Sequence, residues 1–133
     1  MYKIFKNIKS INIDYIQEKG SRNSIVLPKL TSVVIRNAKV LIEDQINFHH
    51  LTKIEIKKVD DYLINAINEY IFEPSKVLEL EISDINVDHE IHLSHFCSLR
   101  SLTIRGIRNH LNLNLFLPHL KNLSFLNLHY DVD

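Results

Sequence analysis

The sequence predicts an α/β solenoid of about six coils, in which each coil contributes one short strand to a curved parallel sheet. An apolar hexapeptide pattern, φxxφxφ, occurs six times along the 133 residues. Successive copies are 22, 21, 26, 22 and 24 residues apart, and a near-constant period of this length is typical of repeat proteins. These observations predict one solenoid domain over residues 1–133, with short helices and irregular segments on its convex face.

Each copy of the pattern has one apolar residue and, three positions later, two apolar residues separated by a single position. The six copies are Ile8-x-x-Ile11-x-Ile13, Leu30-x-x-Val33-x-Ile35, Leu51-x-x-Ile54-x-Ile56, Val77-x-x-Leu80-x-Ile82, Leu99-x-x-Leu102-x-Ile104 and Leu123-x-x-Leu126-x-Leu128. Because alternate side chains of a strand point to opposite faces, the pair predicts two inward residues with one outward residue between them. The apolar residue before the pair is expected in a turn or short helix that leads into the strand.

The longest connection, between Ile54 and Leu80, predicts the clearest helix. Asp60 or Asp61 is suited to cap its start and Pro74 to end it. Its apolar residues recur at helical spacing and are Tyr62, Leu63, Ala66, Ile67, Tyr70 and Ile71. We expect this helix on the convex side of the solenoid.

Over essentially the whole chain, the repeats resemble the leucine-rich repeat family. Leu27-Pro28-Lys29-Leu30 and Leu117-Pro118-His119-Leu120 match its LPxL segment before the strand, where no sheet donor is needed. The chain departs from the family three positions after the pair, where regular members carry Asn or Cys. The residues found there are Ile16, Ala38, Val59, Ile85, Ile107 and Asp131. No asparagine ladder can form, so we expect irregular coils with an apolar plug at that position.

The resemblance implies that partners bind to the concave face, which consists of the outward strand residues. The candidates are Arg36, Glu55, Lys57, Glu81, Arg105, Phe125 and His129. Arg36, Lys57 and Arg105 follow the apolar pair in their repeats, so they would form a basic row about 5 Å per strand apart. Mixed polarity of this kind suits recognition of a protein surface or an acidic segment. The alternative is a solvated sheet face whose charges pair across strands.

Composition narrows the classes of partner. Lys plus Arg equals Asp plus Glu at 16 each, so no global field favours nucleic acid or an anionic membrane. The sequence has no export signal and no apolar stretch of membrane-spanning length. A single cysteine favours the cytoplasm. Abundant Ile, Asn and Lys suggest an AT-rich genome such as that of a virus or intracellular pathogen, for which the partner would be a host protein in the host cytoplasm.

Metal binding and catalysis have weaker support. His89, His92, His95 and Cys97 are zinc-ligand types, but the apolar residues of the same segment predict that the histidines are exposed neighbours of a turn. A lone cysteine close to an apolar column is more often a small core residue than a nucleophile. No GxSxG, HExxH, P-loop or GxGxxG motif is present. We therefore expect no metal, no cofactor and no enzymatic activity.

The sequence as a whole predicts a non-enzymatic module that binds another protein through the concave face of its solenoid. The alternative function is structural, in which uncapped solenoid ends stack on other copies of the same chain. The last strand is expected to have an exposed edge, which invites pairing with another chain. A monomeric binder and an assembly unit would differ in how their size depends on concentration.

Overall fold

The structure is a computed structural model that describes residues 2–14, 24–36, 50–58, 73–84, 93–107 and 117–130. These residues contain eight strands and two short 3-10 helices. The strands are β1 (Tyr2–Ile4), β2 (Ser10–Asp14), β3 (Ser24–Val26), β4 (Ser32–Arg36), β5 (Lys53–Lys57), β6 (Glu79–Ser83), β7 (Ser101–Ile107) and β8 (Phe125–Tyr130). The 3-10 helices are η1 (Pro74–Lys76) and η2 (Leu117–His119). No helix in these ranges is long and apolar enough to cross a membrane.

Six of the strands form one parallel sheet whose strands follow chain order, β2-β4-β5-β6-β7-β8. Each of them contains one of the six predicted apolar pairs, so the prediction of six parallel strands is confirmed. The register also follows the sequence pattern, because the first residues of the six pairs lie opposite one another. This row consists of Ile11, Val33, Ile54, Leu80, Leu102 and Leu126.

A second, two-stranded parallel sheet joins β1 to β3, and the sequence pattern did not predict it. Tyr2 lies opposite Ser24, and Ser10 lies opposite Ser32 in the large sheet. Both pairs are 22 residues apart (24 minus 2 and 32 minus 10), so the first two repeats keep one spacing through both sheets. In the last repeat the equivalent positions form η2 instead.

Tight turns lead into the strands of the large sheet. The Leu30 N–H donates to the Leu27 carbonyl at 3.1 Å, and the Leu120 N–H donates to the Leu117 carbonyl at 3.0 Å. Proline therefore occupies the second position of both LPxL turns, where its fixed φ is favourable. The expected turn before the strand is confirmed here. Pro74 begins η1, while the helix predicted between Asp60 and Ile71 lies outside the described residues.

One backbone carbonyl before each of the strands β2, β4, β5, β6 and β7 accepts two hydrogen bonds from the next repeat. The Lys9 carbonyl accepts from the N–H groups of Thr31 and Ser32 at 2.9 and 3.1 Å. The carbonyls that repeat this arrangement belong to Thr31, Thr52, Leu78 and Arg100. After the strands, the N–H groups of Lys58 and Asp84 donate to the carbonyls of Ser83 and Arg105, both at 3.1 Å. Backbone groups of neighbouring repeats thus satisfy one another before and after these strands. Most of the predicted apolar plug lies outside the described residues.

The apolar pairs fill a single core beneath the large sheet. In β4 to β7 all eight pair residues are at most 3% exposed. The apolar residues that precede these pairs, Leu30, Leu51, Val77 and Leu99, are at most 1% exposed. Burial falls off at the sheet edges, where Ile11 and Ile13 are only partly buried and Leu126 is 41% exposed. The inward orientation of the pairs is confirmed for the four central strands.

Candidate polar interface

The outward residues of the large sheet form a continuous surface, the polar face, which contains all seven predicted binding residues. Strand alternation places them opposite the core. In β4 to β8 these residues are Ser32, Val34, Arg36, Lys53, Glu55, Lys57, Glu79, Glu81, Ser83, Ser101, Thr103, Arg105, Phe125, Asn127 and His129. The core beneath fixes the relative positions of these side chains.

The predicted basic row exists as a row of registered positions. Arg36 lies opposite Lys57, and Ser83 follows in β6 before Arg105 in β7. The row changes at β8, where the register shifts between Ile104 and Ile107. Two residues of β7 there face the single residue His129, because Gly106 adopts a φ of 71° and forms a bulge. His129 is therefore displaced from direct register with Arg105.

Three of the four cations on the polar face are neutralised by neighbouring carboxylates. Arg105 Nε lies 2.9 Å from Glu81 Oε1, and Lys57 Nζ lies 3.2 Å from Glu55 Oε1. Lys53 Nζ lies 3.9 Å from Glu79 Oε2. Exposed or half-exposed pairs of this kind contribute about 0.2–1 kcal/mol each. Charges therefore pair across strands at Lys53–Glu79 and Arg105–Glu81, and within β5 at Lys57–Glu55.

Arg36 differs from the other three cations. Its side chain is exposed at the end of β4, and none of the ion pairs formed within the described residues includes it. The half-buried Val34 lies on the same face of β4, and Lys57 is its registered neighbour in β5. Arg36 thus offers a guanidinium group beside the small apolar surface of Val34, with Lys57 of β5 and Asp14 of β2 as its two registered neighbours.

A shallow depression of about 130 Å³ lies on the polar face between β5, β6 and β7. Its polar lining comprises Lys53, Glu55, Glu79, Glu81, Ser101 and Thr103. Glu55 and Glu81 are registered neighbours, and each is engaged by its own cation. A volume of this size is comparable to that of about four water molecules, so the depression is large enough for a single side chain of a partner.

At the outer edge of the polar face, Phe125 is 52% exposed and His129 is also exposed. Leu126 and Tyr130 of the same strand are 41% and 55% exposed. Phe125 and His129 are among the predicted binding residues, whereas Leu126 was expected in the core. Leu126 is exposed because β8 has a neighbour on one side only.

The proposed zinc ligands are not grouped in the part of the chain that is described. His89 and His92 lie outside it, and within it no three His, Cys, Asp or Glu side chains could hold a metal ion. The expectation that Cys97 is a core residue is wrong, because its side chain is exposed. The period of three places Phe96 and Leu99 inward, at 1% and 0% exposure, which turns the intervening Cys97 outward.

No protein-family model, curated protein or solved structure matches this chain.

Proposed function

We propose that this chain is a non-enzymatic module of the leucine-rich repeat type that binds another protein through its polar face. Six parallel strands in chain order, separated by 21 to 26 residues, support a solenoid in which this face is concave. Its side chains are exposed or half-buried, with Thr103 as the exception at 8% exposure. A rigid sheet that presents ordered polar side chains can bind with little loss of conformational entropy.

Arg36 is the cation of the polar face that forms no ion pair within the described residues, and this observation carries the proposal. The other cations of the polar face already have carboxylate partners, so a carboxylate of a binding partner would have to displace those intramolecular pairs. Arg36 has no such pair to displace within the described residues. Its planar guanidinium group binds carboxylates in a bidentate geometry. The partner is therefore expected to place an Asp or Glu side chain at Arg36, beside Val34 and Lys57.

The remaining charges of the face would then set orientation. Lys53, Glu79 and Arg105 are at least 48% exposed in their side chains, so they are available to a complementary partner surface at the rim. Rim charges affect association rate and register more than affinity. The polarity of the face consequently favours a protein surface with an acidic contact over an apolar ligand.

The site of action that we propose is the cytoplasm. The only cysteine, Cys97, is exposed as a free thiol, which is typical of reducing compartments. If the AT-rich composition reflects a virus or intracellular pathogen, the partner is a host protein and the role is interference with host signalling.

Affinity capture from cell lysate tests the proposal when wild type, Arg36→Glu and Lys29→Glu are compared. Lys29 is exposed in the turn before β4 of the same repeat, so its reversal changes net charge equally but leaves the polar face intact. Reversal of Lys57 or Arg105 would be less informative, because it would also break an ion pair within the chain. Circular dichroism of the three chains is the control that shows whether each of them folds.

We expect wild type and Lys29→Glu to retain the same protein and Arg36→Glu to lose it. Arg36→Lys keeps the charge but lacks the bidentate geometry, so it should retain the partner with reduced affinity. Retention of the same protein by Arg36→Glu at the wild-type level would disprove recognition through Arg36.

A further inference from the structure

The two ends of the large sheet expose residues whose equivalents are buried inside it. Leu126 of β8 is 41% exposed, whereas its registered equivalents in β4 to β7 are at most 3% exposed. At the other end, Phe5 is 42% exposed. Its internal equivalents six positions before the apolar pair include Leu27 and Phe96, which are at most 8% exposed. Within the described residues, no further strand of the large sheet covers β2 or β8 on the outer side.

The two ends match each other column by column. The first repeat has Phe5, Ile8, Ile11 and Ile13 where the last repeat has Leu120, Leu123, Leu126 and Leu128. Leu120 is itself buried, at 4% exposure. Within the chain, the same columns pack against one another to form the single core. A last repeat placed against a first repeat would continue all four columns.

The backbone hydrogen bonds match in the same way. In five consecutive pairs of repeats, one carbonyl accepts N–H bonds from two residues of the next repeat. The corresponding carbonyl of the last repeat belongs to Ser124, and the corresponding donors of the first repeat are Lys9 and Ser10. Within the described residues, none of the backbone bonds of this type uses the Ser124 carbonyl or those two donors. One end thus supplies the acceptor that the other end requires.

We propose that a second copy of this chain docks head to tail, with its β2 alongside β8 of the first copy in parallel register. Ile11 and Ile13 of one copy would cover Leu126 and Leu128 of the other. Asn12 would lie beside Asn127, and their amide side chains can hydrogen-bond to each other. The contact joins two different surfaces, so it is heterologous and leaves a free end on each side of the pair.

The exposed area sets the strength of this contact. Aromatic side chains present about 150–250 Å² each, so Phe5, Phe125 and Tyr130, which are 42% to 55% exposed, leave roughly 300 Å² in solvent. Stable interfaces bury about 1,200–2,000 Å² in total, so the other residues of both ends must contribute and the association is weak. Lys6 and Lys121 are exposed and equivalent, so docking would bring two like charges together.

Sedimentation velocity from about 1 μM to about 1 mM, the range in which weak interfaces assemble, tests the proposal. We expect wild type to form dimers and larger species as its concentration rises. Leu126→Asp damages one end and Phe5→Asp the other, so each variant alone should stay monomeric. A mixture of the two variants should form dimers and nothing larger, because each retains one intact end. Val26→Asp is the control, since Val26 is 38% exposed in an internal repeat and its variant should assemble like wild type.

The mixture also shows that both variants fold, because an unfolded chain would not restore the dimer. A wild-type chain that remains monomeric throughout would overturn the proposal, as would self-association of Phe5→Asp alone, which would mean that β8 ends pair with each other. Lys6→Glu replaces the repulsion at Lys121 with attraction and should strengthen assembly several-fold. Unchanged or weaker assembly of Lys6→Glu would contradict the proposed register. None of these variants alters Arg36, so failure here leaves the proposed function untouched.

Discussion

Positive φ angles recur at one position just after the apolar pair in successive repeats. Lys58, Asp84 and Gly106 have φ values of 56°, 57° and 71°, and each lies four residues after the first pair residue of its repeat. In β7 this conformation coincides with the bulge that shifts the register against β8. The left-handed turn therefore redirects the chain as it leaves the apolar pair.

Gly106→Ala is expected to destabilise the protein by about 1–3 kcal/mol, because a left-handed conformation is costly for a residue with a Cβ atom. That Cβ would also lie 3.2 Å from the Cα and N atoms of Asp84. Lys58→Gly is the matched control, since it relieves the same backbone strain and should leave stability unchanged or raise it by up to about 1 kcal/mol. Urea unfolding measures both changes. Equal stability of Gly106→Ala and wild type would refute the argument from strain.

At the scale of the strand, stability depends on how many neighbours cover the apolar pair. Ile82 in β6 has a strand on either side and is 0% exposed, whereas Ile13 in the edge strand β2 is only partly buried. Both residues are the second member of their pair. Both residues are isoleucine and differ in their position in the sheet. A comparison of the two therefore isolates the effect of neighbouring strands on stability.

Ile82→Ala should lower the free energy of unfolding by about 2–5 kcal/mol, because it removes fully buried methyl and methylene groups and leaves a cavity. Ile13→Ala should cost less than half as much, since part of that side chain already contacts solvent. Chemical denaturation of the two variants under identical conditions gives the comparison. A cost at Ile13 that matched the cost at Ile82 would imply that the first repeat is covered as fully as the central ones.

The whole sheet is a linear array in which each strand bonds only to its neighbours along the chain. β2 and β8 have one partner within the large sheet, and the strands between them have two. Local opening is easiest where the fewest buried contacts and backbone bonds must be broken. Stability should therefore decrease from the middle of the array towards both edges.

Native-state hydrogen exchange at low protein concentration should show the strongest amide protection in β5 and β6 and the weakest in β2 and β8. At high concentration, head-to-tail docking would raise protection in β2 and β8 selectively, because their edges would then be paired. Exchange followed by mass spectrometry resolves both comparisons. Uniform protection across all six strands at low concentration would contradict a linear array.

The local sequence pattern by itself determined the six strands, their order and register, and the inward residues of the four central strands. The pattern could do so because alternating side chains and a near-constant repeat length place equivalent residues of successive strands opposite one another. The row from Ile11 to Leu126 shows this. The same pattern correctly selected the positions of the polar face. Membership of the leucine-rich repeat family and the helix before Pro74 stay predictions.

The tertiary structure alone decided which charges are neutralised and which remain available. Lys57 bonds to a carboxylate in its own strand, Arg105 bonds to one in the neighbouring strand, and Arg36 forms no ion pair within the described residues. Side-chain reach and local backbone geometry settle these outcomes, and neither is encoded in apolar spacing. The β1–β3 sheet and the bulge at Gly106 could not be predicted from apolar spacing, because both depend on contacts between repeats.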